Sequence, residues 1–212
     1  MEFEQALKNR HSVRQFTDQT VSLDTLRQII ADAQLAPSWV NSQPYHVHLA
    51  LGAALTRVRQ AQAQLEAAGT KGHSDVPVMS RKDWSSAAQQ NMAAWTRGLG
   101  ELASEMGPAA AQLYNAQAVL YLTLPKGYSA WSLYDLGAFG NDIVLGASNC
   151  GIASMTAYQL VKYPGMLRRQ LGIPDDEDII IGIGLGYRDD SATVNKITST
   201  RMSLDKVLSV HK

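Results

Sequence analysis

The sequence of 212 residues is poor in cysteine and has no net charge. The first shortage excludes a disulfide framework, and the second argues against partners held by bulk charge. Cys150 is its only cysteine, so no disulfide can form within the chain, which is compatible with a reducing compartment. Nineteen basic residues balance nineteen acidic ones, which argues against a nucleic acid or an acidic membrane held by bulk charge. No apolar run approaches the roughly 20 residues of a membrane span. The opening MEFEQALKNR is amphipathic rather than a signal peptide, so we expect a cytoplasmic protein that binds neither nucleic acid nor membrane.

Several catalytic motifs are also missing. The chain contains no G-x-S-x-G, H-E-x-x-H or C-x-x-C, so hydrolase and zinc-enzyme interpretations have no motif to rest on. GIGLGY, residues 182–187, is a poor dinucleotide fingerprint because Tyr187 takes its last glycine position, and we expect a strand packed closely against a helix or a ligand ring. His46 and His48 share one strand face and could bind a metal, but no carboxylate or cysteine is close in sequence. An exposed strand face is therefore favoured there, and no metal is predicted.

Apolar periodicity predicts an α+β fold, with many helices and few strands that do not alternate regularly. A short helix ends before Arg10, and Ser22 is placed to cap the next one. A helix with Leu55, Val58 and Leu65 on one face follows the first strand, and residues 69–86 after it are predicted to be a loop. The strands are predicted at 45–51, 117–124 and 178–187, and the later helices at 87–106, at 129–151 and from Pro164 to about Gln170.

The segment RHSVRQF, residues 10–16, concentrates hydrogen-bond donors directly after the first helix. If it is extended, Arg10, Ser12 and Arg14 project to one side. Two guanidinium groups and a hydroxyl that converge on one point would form an anion site. The alternative is a charge cluster at a helix end that is solvated on the surface, and this segment alone leaves both interpretations open.

A second segment, APSWVNSQPYHV at residues 36–47, favours the binding site. The two segments together resemble the R-x-S-x-R-x-F and P-S-x-x-N-x-Q-P-W-x-F motifs of the nitroreductase family of FMN-dependent flavoproteins, with Tyr45 in the place of the tryptophan. YDLGAFGNDIVLGASNCGIASM resembles the long central helix of that family, IIIGIGLGY its late strand and NKITSTRMSLDKVL its closing basic segment. The resemblance covers nearly the whole chain in the right order, and the size is similar to the bacterial nitrobenzoate-reductase type. Only the middle, residues 66–110, matches poorly.

The resemblance implies one FMN-binding domain over residues 1–212, with a mixed sheet flanked by helices and residues 66–110 as a variable substrate or lid region. It implies an intertwined homodimer with FMN at the interface, touched by both chains. The implied activity is FMN-dependent NAD(P)H oxidation that reduces nitroaromatics or quinones by ping-pong hydride transfer, with NADH or NADPH as donor. Other roles of the same fold stay open, namely reductive dehalogenation, flavin destruction, or flavin binding and storage without turnover.

The resemblance also assigns site residues by position. No side chain is predicted to be catalytic, because flavin N5 carries the hydride and Arg14, near N1 and O2 of the ring, stabilises the charge. The FMN phosphate is assigned to Arg10, Ser12 and Arg201, with contacts from His11 and a second candidate in Lys196. Backbone near N5 is assigned to Thr156, Ala157 and Tyr158, and the loop laid against the flavin by the other subunit to Pro37, Ser38 and Trp39.

Overall fold

A four-stranded sheet forms the centre of the protein in the computed structural model, which describes residues 2–212. The strand order is β1-β2-β4-β3, and every neighbouring pair of strands is antiparallel. A parallel element is confined to the isolated bridge between Ser12 and Ser154, so the expected mixed character of the sheet is limited to that bridge. The strands are β1 (His46–Leu51), β2 (Ala118–Pro125), β3 (Ala153–Ala157) and β4 (Glu177–Gly186).

Helices cover both faces of the sheet, which confirms the α+β prediction. Ser22 caps α2 as predicted, because its hydroxyl accepts a hydrogen bond from the Thr25 amide at 3.1 Å. The helix predicted over 87–106 is instead two helices, since Gly100 adopts a φ of +52° and breaks it. Within residues 2–212, no helix is both long and apolar enough to cross a membrane. The helices are α1 (Phe3–Asn9), α2 (Leu23–Ala33), α3 (Gly52–Ala67), α4 (Ser86–Leu99), α5 (Ala103–Ala111), α6 (Ala130–Asn149) and α7 (Pro164–Leu171).

The sheet separates two apolar cores. On one face, which we call the α6 face, Leu120 and Leu122 of β2 pack with Leu26 of α2 and Phe139 of α6. The opposite face, the α3 face, has Val119 and Tyr121 of β2 and the apolar residues of α3 and α7. Successive side chains of β2 therefore alternate between the two cores, as the period of two in a strand requires.

One residue interrupts this alternation in β4. Leu122 pairs with Ile181, but the next residue of β2, Thr123, pairs with Ile179, so Ile180 is an extra residue in the ladder. Ile180 and Ile181 both pack toward the α6 face, whereas Ile179 lies on the α3 face. The residues of β4 before Ile180 therefore lie on the face of the sheet opposite to the one they would occupy in a regular strand.

The glycines of GIGLGY allow close packing on the α3 face, which confirms the prediction for that segment. A Cβ atom on Gly182 would lie 2.5 Å from the Cβ of Leu160. One on Gly186 would lie 3.0 Å from atoms of Phe16, the last residue of RHSVRQF. The absence of a side chain at Gly186 therefore lets the arginine-containing segment dock against the sheet.

Candidate functional site

The segment RHSVRQF is extended and is fixed to the sheet by its backbone. The Val13 amide donates to the Ser154 carbonyl and the Phe16 amide to the Tyr114 carbonyl, both at 3.0 Å. The Val13 and Phe16 side chains are buried in the core of the α3 face. The residues from Arg10 to Ser12, together with Arg14, face a cleft, and the segment has the predicted extended conformation.

That cleft, which we call the arginine cleft, has a volume of about 540 Å³. Three arginines and a lysine line it, and none of its lining residues is acidic. A concave surface with several cations and no carboxylate favours an anionic ligand. Its lining residues are Leu7, Lys8, Arg10, His11, Ser12, Arg14, Asn141, Ile197, Thr198, Ser199 and Arg201.

Arg14 is the most unusual of these residues because it is buried without a counter-ion. It is 6 % exposed, and its Nη1 donates only to the Ser12 carbonyl, at 3.2 Å. Its Nε is buried and makes no hydrogen bond to any residue in 2–212. Burial lowers the pKa of the Arg14 guanidinium below its ordinary value, while nearby Tyr114 opposes that shift. A buried cation with an unused donor costs folding free energy, and it fits a site completed by a bound anion.

Asn195 holds the backbone on either side of Arg14 in place. It is 3 % exposed, and its Oδ1 accepts from the amides of Arg14 at 2.7 Å and Gln15 at 3.1 Å. Its Nδ2 donates to the carbonyls of Gln15 at 2.7 Å and Asp189 at 2.8 Å. All four hydrogen bonds go to backbone atoms, so this one side chain joins the arginine segment to the segment after β4.

His11 is held in one orientation from both sides. Its Nδ1 lies 2.6 Å from the Asn9 carbonyl oxygen, which can only accept, so Nδ1 carries the proton. Its Nε2 then accepts from the Arg188 guanidinium, which also forms an ion pair with Asp190. The fixed ring of His11 therefore forms part of the wall of the arginine cleft.

An apolar cleft of about 610 Å³, the α6 cleft, adjoins the arginine cleft, and Arg10, Asn141 and Arg201 line both. Helix α6 lies close to β2 here, since a Cβ atom added to Gly140 of α6 would lie 3.3 Å from the side chain of Leu122. Together the two clefts can hold a molecule that has an anionic group and an apolar ring system. The α6 cleft is further lined by Leu133, Leu136, Gly137, Gly140, Val144, Thr156, Ile180, Ile181 and Ile183.

The structure brings together some of the sequence-predicted site residues. Arg10, His11, Ser12, Arg14 and Arg201 line the arginine cleft, and Thr156 lines the α6 cleft.

The other predicted residues line neither cleft. Lys196 and Tyr158 are exposed, and Ala157 is buried on the α3 face. Pro37, Ser38 and Trp39 lie beside the start of α6, where the Trp39 amide donates to Asp135 Oδ2 at 2.9 Å. The Trp39 ring lies 5.2 Å from that of Trp131.

Sequence reasoning missed several residues of the site, and two of them are asparagines. Asn141 lies on α6, where the sequence showed only a run of small residues around it. Asn195 lies 181 positions from Arg14, and its four contacts leave no periodic signal. Only the tertiary structure reveals that these two amides contribute.

Comparison with known proteins agrees with this geometry. Residues 7–187 match the model of the nitroreductase family. The chain is 28 % identical to nitroreductase NfnB of Mycolicibacterium smegmatis over 96 % of its own length and 90 % of that protein, and 25 % identical to 4-nitrobenzoate reductase of Pseudomonas putida over 94 % and 91 %. It superposes with a TM-score of 0.90 on the crystal structure of the FMN-dependent nitroreductase NfnB from Mycobacterium smegmatis in complex with NADPH, at 27 % identity, covering 99 % of this chain and 97 % of that one.

Proposed function

The chain belongs to the nitroreductase family, and we propose that it is an FMN-dependent oxidoreductase that uses NADPH or NADH to reduce nitroaromatic compounds or quinones. The observation that carries the proposal is the buried guanidinium of Arg14, whose Nε has no partner, in a cleft lined by Arg10 and Arg201 and by no acidic residue. Relatives named for the reduction of nitro compounds support the substrate class.

The residues present fit FMN. Arg10, Ser12 and Arg201 would hold its phosphate, because guanidinium and hydroxyl donors suit phosphate oxygens. When bound, FMN supplies the redox chemistry, since it accepts two electrons from a nicotinamide and passes them to an acceptor. The protein contributes binding, orientation and charge.

Arg14 provides the charge. A guanidinium that is already buried and fixed stabilises negative charge without reorganising, an effect typically worth a few kcal/mol in a water-poor site. This chemistry needs no side-chain nucleophile, which agrees with the absence of the hydrolase motifs. We propose that donor and acceptor occupy one site in turn, as a ping-pong mechanism requires, and that residues 66–110 of this single FMN-binding domain shape access to it.

We also propose that the working form is a homodimer. Pro37, Ser38 and Trp39 line neither cleft of their own chain, and the loop would reach the site of a partner. Large aromatic side chains beside this loop are exposed, and such patches are typical of interfaces; they belong to Trp39, Trp131 and Tyr134. Light scattering at micromolar concentration is expected to give twice the 23.1 kDa mass of the chain. A flavin-loaded monomer under these conditions would contradict the proposal.

The function is tested on the purified protein. It should be yellow, release FMN rather than FAD on denaturation, and oxidise NADPH or NADH when 4-nitrobenzoate or benzoquinone is supplied. Arg10→Ala should weaken FMN binding at least about 10-fold, the loss of one charge-assisted hydrogen bond. Arg27→Ala, which removes an exposed arginine of α2 outside both clefts, is the control and should bind normally.

Three other results would contradict parts of the proposed function. Recovery of FAD alone, or no flavin after reconstitution, would refute the cofactor assignment. FMN binding without nicotinamide oxidation would identify a flavin-storage protein. Parallel lines in double-reciprocal plots are expected for the ping-pong mechanism, and converging lines would exclude it.

A further inference from the structure

Two histidines and a glutamate meet on the α3 face of the sheet, away from both clefts. The Nδ1 of His46 lies 3.2 Å from Glu177 Oε1, and the Nε2 of His48 lies 2.8 Å from Glu177 Oε2. One ligand atom from each residue lies within 4.8 Å of the other two. None of the three residues lines the arginine cleft or the α6 cleft, and the α6 cleft lies on the opposite face of the sheet.

The bulge in β4 creates the cluster. Val47 and Leu49 of β1 pack toward the α6 face, which leaves the alternate residues His46 and His48 on the other side. Glu177 joins them there because Ile180 reverses the phase of β4. In an unbroken strand, Glu177 would share the face of Ile181 and Ile183.

Glu177 is held in position as a carboxylate. The Thr123 hydroxyl, which is fully buried, donates to its Oε2, and Arg168 donates to its backbone carbonyl. Arg168 is in turn paired with Asp75 at 2.8 Å. The two carboxylate oxygens of Glu177 thus contact three side chains, those of Thr123, His48 and His46.

We propose that His46, His48 and Glu177 form a binding site for a divalent transition metal such as Zn²⁺. Two imidazoles and a carboxylate are the ligand set of many three-residue zinc sites, which leave a fourth position for water. A neutral imidazole can carry its proton on either ring nitrogen. When the proton is on the nitrogen that faces away from Glu177, the nitrogen that faces Glu177 has a lone pair with which to bind a metal. Ligand atoms around zinc lie roughly 3.3 Å apart at bond lengths of about 2.0–2.1 Å. His46 Nδ1 and His48 Nε2 already lie 3.2 Å and 2.8 Å from the Glu177 oxygens.

The buried threonine acts as a positioning residue in this site. Its hydroxyl orients Glu177 as the hydrogen-bond partners of metal ligands commonly do. Bound metal would join β1 to β4 across β2, which lies between them in the sheet.

The test is calorimetric titration of the flavin-loaded, untagged protein with ZnCl₂ at about pH 7.5, where an ordinary histidine is neutral. One equivalent should bind with a Kd of about 10 μM or tighter, and Mg²⁺, which prefers oxygen ligands, should not bind there. His46→Ala and His48→Ala should each weaken binding at least 100-fold, and Thr123→Val about 10-fold. His211→Ala removes another exposed histidine and should bind as the wild type does.

A second readout identifies the ligands. Electron paramagnetic resonance of one equivalent of bound Cu²⁺ should show coupling to two imidazole nitrogens, and to one in His46→Ala. Because His46 is mostly exposed, this variant should fold and retain its flavin. Absence of zinc binding, or binding that His46→Ala leaves unchanged, would overturn the proposal. Either result would leave the proposed flavin chemistry unaffected.

Discussion

Arg14→Met is expected to leave the Tm of the flavin-free protein unchanged or higher, and to weaken FMN binding about 10- to 100-fold. The two effects have one cause. The guanidinium is buried with an unused Nε and no carboxylate partner, so replacing it by an apolar chain of similar length removes a desolvation cost. The same change removes a charged donor that a bound anion would use, worth roughly 1.5–3 kcal/mol.

The electrochemistry of Arg14 variants separates charge from packing. Arg14→Ala should lower the midpoint potential of bound FMN by roughly 20–65 mV, which corresponds to 1–3 kcal/mol for two electrons, and should slow its reduction by NADPH. Arg14→Lys should recover part of this loss, because a point charge suffices where no bidentate geometry is needed. Arg10→Ala should reduce FMN affinity more than Arg14→Ala, since it acts on the phosphate. Unchanged potential and reduction rate in Arg14→Ala would refute the role of its charge.

Asn195→Ala is expected to destabilise the protein by about 3–4 kcal/mol and to impair FMN binding at the same time. The variant leaves the amides of Arg14 and Gln15 without an acceptor, and each unsatisfied buried group costs about 1–3 kcal/mol before relaxation. The carbonyls of Gln15 and Asp189 lose one of their two donors. For a chain of this length, the Tm should fall by roughly 6–15 °C.

The matched control is Asn91→Ala, since Asn91 is exposed and its amide donates only to the sulfur of Met202. Thermal unfolding and FMN titration of both variants provide the measurement. If Asn195→Ala lowers the Tm no more than the control does, Asn195 does not anchor the segment. Normal FMN affinity in a destabilised Asn195→Ala would show that the anchor serves folding alone.

Local sequence patterns predicted the helices and strands whose buried residues recur with the period of that helix or strand. The apolar stripe of α2 and the buried run of β2 are of this kind, and both formed where expected. β3 was not predicted, because ASMTA is short and mostly small; its pairing with β4 and its bridge to Ser12 make it a strand. Arg10, Ser12 and Arg14 could be placed together because an extended segment puts alternate residues on one side.

Long-range pairing limits what the sequence can reveal about sites. The interpretation of His46 and His48 as an exposed strand face was reasonable, since their carboxylate partner lies 129 positions after His48. Even a correct strand prediction for β4 would have placed Glu177 on the wrong side, because nothing in EDIIIGIGLG marks Ile180 as an extra residue. The proposed metal site therefore depends on a register that only the folded sheet defines.

The bulge at Ile180 also has an evolutionary meaning. One extra residue divides β4 into two segments of opposite phase, so odd-numbered residues from Ile181 onward lie on the α6 face whereas Glu177 and Ile179 lie on the α3 face. Inserting one residue at this point of a regular strand is enough to turn Glu177 toward the two histidines while Ile181 to Gly186 keep their faces.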